Sequence, residues 1–271
     1  MEVGADMSAA SMHKTGGSLT QSSVLLHRSH LISPEKVKQV LNLTHTTSSS
    51  YLLMCSLDVA RKQLATQGSE MLEEALRLAR MAREEINKIE GLYAFGKELI
   101  GTPGCYDFDE TKLGINVSGL GYTGYEMEEK LRKEYNIQIE LSDMNNIMAI
   151  VSIGDTEENI VALINALKDI SSKTEVKEYR KTTIITQNPK MIVSPRDAFY
   201  SRKKSVPLKE SVGEIAGEMI MAYPPGIPVI CMGERITQEI VDYIEVLKEQ
   251  RCQMQGTADP HINSIMVLGT D

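Results

Sequence analysis

Ser11-Met12-His13-Lys14-Thr15-Gly16-Gly17 is the stretch on which the reading of this chain turns. Met7 to Met12 is small and apolar, as at the end of a buried strand. The glycine pair then breaks the pattern and opens a loop. Ser23-Val24-Leu25-Leu26-His27 reads as a second strand. A lysine directly after an apolar strand end stands where sheets expose their functional groups. In most such turns the lysine is simply solvated. The alternative is a Schiff-base lysine. An ε-amine attacks an aldehyde only as the neutral base, a state favoured by partial burial or a neighbouring cation. Ser11, His13 and the loop amides have the chemistry to hold a phosphate beside it. Gly16-Gly17 alone fits neither a Walker nor a Rossmann pattern.

Outward from this stretch, Ser33-Pro34-Glu35 opens a helix to about Leu43. Thr46 to Ser50 is a hydroxyl-rich loop. Tyr51 to Ile89 is helical, with Leu72, Ala75, Leu76, Ala79, Ala82 and Ile86 forming an apolar stripe. Gly101-Thr102-Pro103-Gly104 is a break. Strands are expected at Lys112 to Val117, Ile137 to Leu141 and Ile147 to Ser152, and helices at Tyr125 to Tyr135 and Thr156 to Ile170. Ser171 to Asn188 has the polarity of a connector. A short helix near Ser194-Pro195-Arg196 follows. Tyr223 to Pro228 is a rigid turn into a strand at Val229-Ile230-Cys231, and Thr237 to Glu249 is the last helix.

With 271 residues and 42% apolar content, the chain has enough material for one large domain or two modest ones. A formal charge of -8 argues against a general nucleic-acid binder. No run is long enough to span a bilayer, so no membrane partner is expected, and the N-terminus lacks a signal-peptide pattern. Cys55, Cys105, Cys231 and Cys252 have no metal-ligand spacing, and His27, His30 and His45 lack companion ligands. No metal is expected, and the chain reads as cytoplasmic. Arg196 is either a clamp for a substrate carboxylate or a surface arginine.

Ser11-Met12-His13-Lys14 with Ser18-Leu19-Thr20-Gln21 resembles the cofactor-lysine motif of the ornithine/lysine/arginine decarboxylases. Further ordered stretches resemble the same family: Thr46 to Tyr51 with Ser56-Leu57-Asp58, Leu120 to Glu126 continuing to Ile139-Glu140-Leu141-Ser142-Asp143, and Tyr223 to Pro228 with Gly233-Glu234. The resemblance runs nearly end to end and is strongest to the short arginine-decarboxylase type. It implies an α/β fold: a partial aspartate-aminotransferase-like (fold type I) cofactor domain over residues 1–185, then a small α+β C-terminal domain over 190–271. It implies pyridoxal 5'-phosphate as cofactor, Lys14 as its covalent anchor, and Ser11 and His13 as phosphate contacts. A hydroxyl of Thr46 to Ser48, taken as that of Thr47, is expected to reach the phosphate across a subunit interface. Glu140 and Asp143 are expected either to recognise a cationic side chain or to be surface acids at a strand end.

The implied reaction is decarboxylation of a basic amino acid, arginine to agmatine first, in a homodimer or higher oligomer. Another fold type I enzyme, such as an aminotransferase, is the alternative, since the same lysine serves both reactions. A non-catalytic fragment or subunit is a third reading. Family members carry most of the cofactor domain ahead of the lysine, including an acid that keeps the cofactor's ring nitrogen protonated. Only thirteen residues precede Lys14 here, so Met1 is expected to be an internal start or a fragment boundary, with the chain inactive unless completed. That expectation includes an exposed apolar face where the sheet is cut short.

Overall fold

The computed structural model describes residues 1–175, 188–223, 226–250 and 252–269. They mix helix and antiparallel sheet in two compact units, one of residues 1–81 with 151–160, the other of 82–150 with 161–271.

In the first unit β1 (Met7–Ala10) pairs antiparallel with β2 (Val24–His27), Met7 opposite His27 and Ala10 opposite Val24. The expected strand through Met12 stops at Ala10, because Met12–Thr15 winds into a single helical turn, α1. The glycine pair ends that turn, with Gly17 at φ +84°. Helix α2 (Pro34–Thr44) begins as its sequence predicts. Ser33 accepts the Lys36 N–H, and Pro34 takes a first-turn position where no amide is needed. No residue of α2 is buried. Helix α3 (Tyr51–Ile86) runs 36 residues from this unit into the next. Its first turns expose Tyr51, Leu52, Met54 and Val59, whereas Ala75, Leu78, Ala79, Ala82 and Ile86 are buried. The expected stripe is therefore rotated slightly, with Leu72 on the exposed side and Leu78 on the buried one. The sheet of this unit has two strands, and Leu25 and Leu26 are exposed on it.

The second unit begins with a four-stranded antiparallel sheet in the order β3-β4-β6-β5. Its strands are β3 (Tyr93–Ala94), β4 (Lys112–Asn116), β5 (Leu141–Ser142) and β6 (Asn146–Ile150). Most of the segment expected as a strand at Ile137 to Leu141 is irregular, and only Leu141 enters β5. Helix α4 (Gly124–Tyr135) packs on β5 and β6. A reciprocal cap between Thr123 and Glu126 starts it, and Asn136 in the left-handed conformation ends it. Gly124 is required, since a Cβ there would lie 2.0 Å from the Asn146 carbonyl oxygen. Helix α5 (Glu157–Ser172) follows. Most of the expected connector lies outside the described residues.

Beyond it come α6 (Pro195–Tyr200), β7 (Lys203–Pro207), β8 (Ile220–Ala222), β9 (Ile227–Ile230), α7 (Gln238–Glu249), β10 (Met254–Gln255) and β11 (Ser264–Leu268). They form a three-stranded sheet, β10-β8-β9, and a pair, β11-β7. Leu208, Ile220, Ile230, Ile240, Ile244, Ile265 and Val267 belong to one buried core. Glu218 is buried beside it with no cationic partner among the described residues. Its carboxylate accepts the N–H groups of Ala258 at 2.7 Å and Met266 at 3.0 Å, which satisfies a charge that would otherwise be costly to bury.

Candidate active site

Lys14 is the third residue of α1, and its amide closes the turn on the Ser11 carbonyl at 3.0 Å. Its side chain is exposed, and its amine makes no hydrogen bond or ion pair among the described residues. The loop that follows is braced from inside. His13 donates from Nδ1 to the Ser22 carbonyl at 2.9 Å. The Ser22 hydroxyl donates to the Leu19 carbonyl at 2.5 Å and lies 2.5 Å from the Ser18 hydroxyl. The Leu19 amide donates to Ser56 Oγ on α3 at 3.2 Å. One short turn and the residue before it carry Ser11, His13 and Lys14. Ser18 was quoted from sequence only as part of the motif and Ser22 not at all, and neither was given a bracing role. Their spacing of four was visible, but the fold-back that joins them depends on Gln21 at φ +76°, an uncommon conformation for glutamine.

The other predicted site residues lie elsewhere. Thr47 is exposed in the stretch before α3, where the neighbouring Thr46 hydroxyl accepts the Ser48 amide. Glu140 and Asp143 flank β5 in the second unit. Glu140 is exposed with no side-chain partner among the described residues. Asp143 is already engaged by the Asn145 and Asn146 amides at 2.8 Å and by the Asn146 side chain. Arg196 is exposed on α6.

The second unit also holds a cavity of about 280 Å³ lined by Tyr125, Glu128, Arg132, Ser142, Tyr223 and Gln253. Ser142, buried, donates to Glu128, which also faces Arg132. Burial pushes the Tyr125 phenol well above its ordinary value, and its hydrogen bond to Cys252 adds to the rise. Burial likewise raises the Cys252 thiol. Both groups are therefore neutral at physiological pH.

Residues 2–159 match the sequence model of the Orn/Lys/Arg decarboxylase major domain. The chain belongs to the Orn/Lys/Arg decarboxylase family. Residues 178–260 match that family's C-terminal domain. An arginine decarboxylase of Bacillus subtilis is 44% identical over 271 residues, spanning 99% of this chain and 55% of that protein. One from Halalkalibacterium halodurans is 45% identical with the same coverage. The chain thus spans about half the length of these curated relatives. Its fold is similar to that of the Escherichia coli constitutive lysine decarboxylase, with a TM-score of 0.77 at 18% identity, covering 97% of this chain and 49% of that one.

The α1 turn has the donor set that a phosphorylated aldehyde cofactor needs. A primary amine with no partner among the described residues follows a hydroxyl and an imidazole in sequence, on a turn held by half-buried serine contacts.

Proposed function

We propose that this Orn/Lys/Arg decarboxylase family chain carries the covalent anchor and C-terminal domain of a pyridoxal-phosphate-dependent carboxy-lyase for a basic amino acid, arginine to agmatine first. The observation that carries this reading is the Lys14 amine, without a partner among the described residues, on its braced turn, in a chain 43–45% identical to arginine decarboxylases. When bound, pyridoxal phosphate would supply the electron sink for the pair left behind as CO₂ departs. Lys14 is its covalent anchor and delivers a proton to the substrate carbon afterwards. Ser11 and His13 would hold the phosphate, and Thr47 would reach it across a subunit interface.

Glu140, whose carboxylate has no partner among the described residues, is the stronger candidate for the cationic end of the substrate, and Asp143, spent on its own turn, the weaker. In this reading residues 1–185 belong to a fold type I cofactor domain, 190–271 to the C-terminal domain, and the working enzyme is a cytoplasmic dimer or higher oligomer. The four cysteines are unpaired, which suits a reducing compartment.

The test supplies the remaining portion from the Bacillus subtilis relative and measures CO₂ from arginine, lysine and ornithine. Release from arginine first is expected, and release from none of the three refutes the substrate class. Keto-acid-dependent amino transfer without CO₂ would instead favour an aminotransferase, a reading against which the C-terminal domain match counts. The exposed apolar residues of α2 and early α3 favour one further reading, that the 271-residue chain is non-catalytic by itself. The same assay on the chain alone decides it.

A further inference from the structure

The cavity of about 280 Å³ in the second unit has a volume suited to one small molecule. It is built by three separate segments: α4, β5, and the stretch where the Tyr223 amide donates to the Gln253 carbonyl at 2.9 Å. None of its lining residues takes part in the chemistry proposed for Lys14, and Glu140 is not among them. Two of its charged groups are only partly satisfied by the protein. Glu128 has 18% of its side chain exposed. Its Oε2 accepts from the buried Ser142 hydroxyl. Its Oε1 has only Arg132 Nη1 near it among the described residues, 3.9 Å away and beyond hydrogen-bond reach. Arg132 makes no hydrogen bond among the described residues, so its fork of N–H donors is unspent on the protein.

A single ligand head can bond both groups where they do not bond each other. That head must donate to Glu128 and accept from Arg132. An ammonium alone gains Glu128 but is repelled by Arg132. A carboxylate alone gains Arg132 but is repelled by Glu128 and Glu129. An ammonium and a carboxylate on one carbon satisfy both partners and bring no net charge. For what lies beyond the head, Tyr125 and Tyr223 offer ring surface, and the Tyr223 hydroxyl and Gln253 amide have no partner among the described residues.

We propose that this cavity is a second small-molecule site, which binds the zwitterionic head of a free α-amino acid: Arg132 takes the carboxylate, and Glu128, held by Ser142, takes the ammonium. Binding needs neither the cofactor nor a chemical step. On the reading of arginine as substrate, the site registers substrate and is blind to product, because decarboxylation removes the group that Arg132 holds.

The experiment titrates the 271-residue chain, without cofactor, by isothermal calorimetry with L-arginine, agmatine and Nα-acetyl-L-arginine, three molecules with the same tail. Arginine is expected to bind. Agmatine lacks the carboxylate and acetylarginine lacks the ammonium, so each should bind at least about tenfold more weakly, the scale of one hydrogen bond to a charged group. Arg132→Gln should weaken arginine about tenfold without weakening agmatine, so that the two become alike. Glu128→Gln, whose amide oxygen still accepts from Ser142, should bring arginine to the level of acetylarginine. Glu140→Gln should leave all three affinities unchanged.

No binding of arginine, equal affinity of the wild type for arginine and agmatine, or arginine binding that survives Arg132→Gln would each overturn the inference. Arginine binding lost in Glu140→Gln and kept in Arg132→Gln would overturn it by placing the amino acid at the substrate position proposed above. If Glu128→Gln fails to fold, Arg132→Gln still decides, since that side chain is more than half exposed. Turnover is a separate readout, and its absence in the completed enzyme leaves the calorimetric result standing.

Discussion

Helices α2 and α7 have nearly the same length, 11 and 12 residues, and each opens on a side-chain cap, Ser33 in one and Thr237 in the other. Yet α7 buries Ile240, Val241, Ile244 and Leu247, and α2 buries nothing. The apolar residues of α2 are present but unused, with Leu43 85% exposed. Local signals decide that a segment is helical, while apolar partners decide whether that helix contributes stability. The same contrast separates the two regions of the chain. The segment around Lys14 carries the proposed chemistry on a two-stranded sheet, and the C-terminal region carries a closed core and no proposed catalytic group.

The largest expected effect tests that division from the chemical side. In the completed enzyme, Lys14→Ala should remove the borohydride-trapped label and lower turnover by at least about a thousandfold, since anchor and proton donor are lost together. Its thermal melt should not move. A substantial drop in melting temperature would show that the turn is structural. Arginine should not rescue, because its guanidinium stays protonated.

Ile244→Ala should do the reverse. Truncating a fully buried isoleucine is expected to destabilise the C-terminal core by about 2–5 kcal/mol. Leu43→Ala on α2 should change stability by no more than about 0.5 kcal/mol. Equal costs in chemical denaturation would mean that α2 is covered in solution. Glu218→Ala should cost about 1–3 kcal/mol by leaving the Ala258 and Met266 amides without acceptors.

The smallest effect is a pH dependence confined to the C-terminal region. The N–H groups of His261, Ser264 and Asn263 hold the Asp259 carboxyl below its usual range. A depressed carboxylate stabilises the fold at pH above its unfolded value of about 3.9 and stops doing so as pH falls through the lower folded value. Melts from pH 6 downward should therefore show a stability loss at the acidic end that Asp259→Asn lacks. An identical profile in the variant would assign the loss to other carboxylates.

What the sequence could show follows from the range of its signals. The helices were legible because caps and periodicity are local: Ser33 and Thr237 each mark a start that the structure keeps. Strands β7 and β11 were not. Lys203-Lys204-Ser205-Val206-Pro207 carries charge and proline, and its partner is the distant Ser264–Leu268. Pairing over that separation leaves no trace in either segment alone. Lys14, Ser11 and His13 were proposed from sequence because a motif of consecutive residues resembles a family. Ser22 was not, because its role exists only once Gln21 turns the chain back.

Glu218 has a further consequence, for the order in which the C-terminal region assembles. Its two amide partners lie 40 and 48 residues further along the chain, and β7 likewise waits for β11. A polypeptide growing from its N-terminus makes this carboxylate and the free edge of β7 long before it makes what satisfies them. Closure is then a late, long-range event with a large loop to immobilise. Until it happens, an unsatisfied anion disfavours premature collapse of the apolar residues around it. The last contact to the buried acid therefore forms only when the final strand, which holds Met266, is in place.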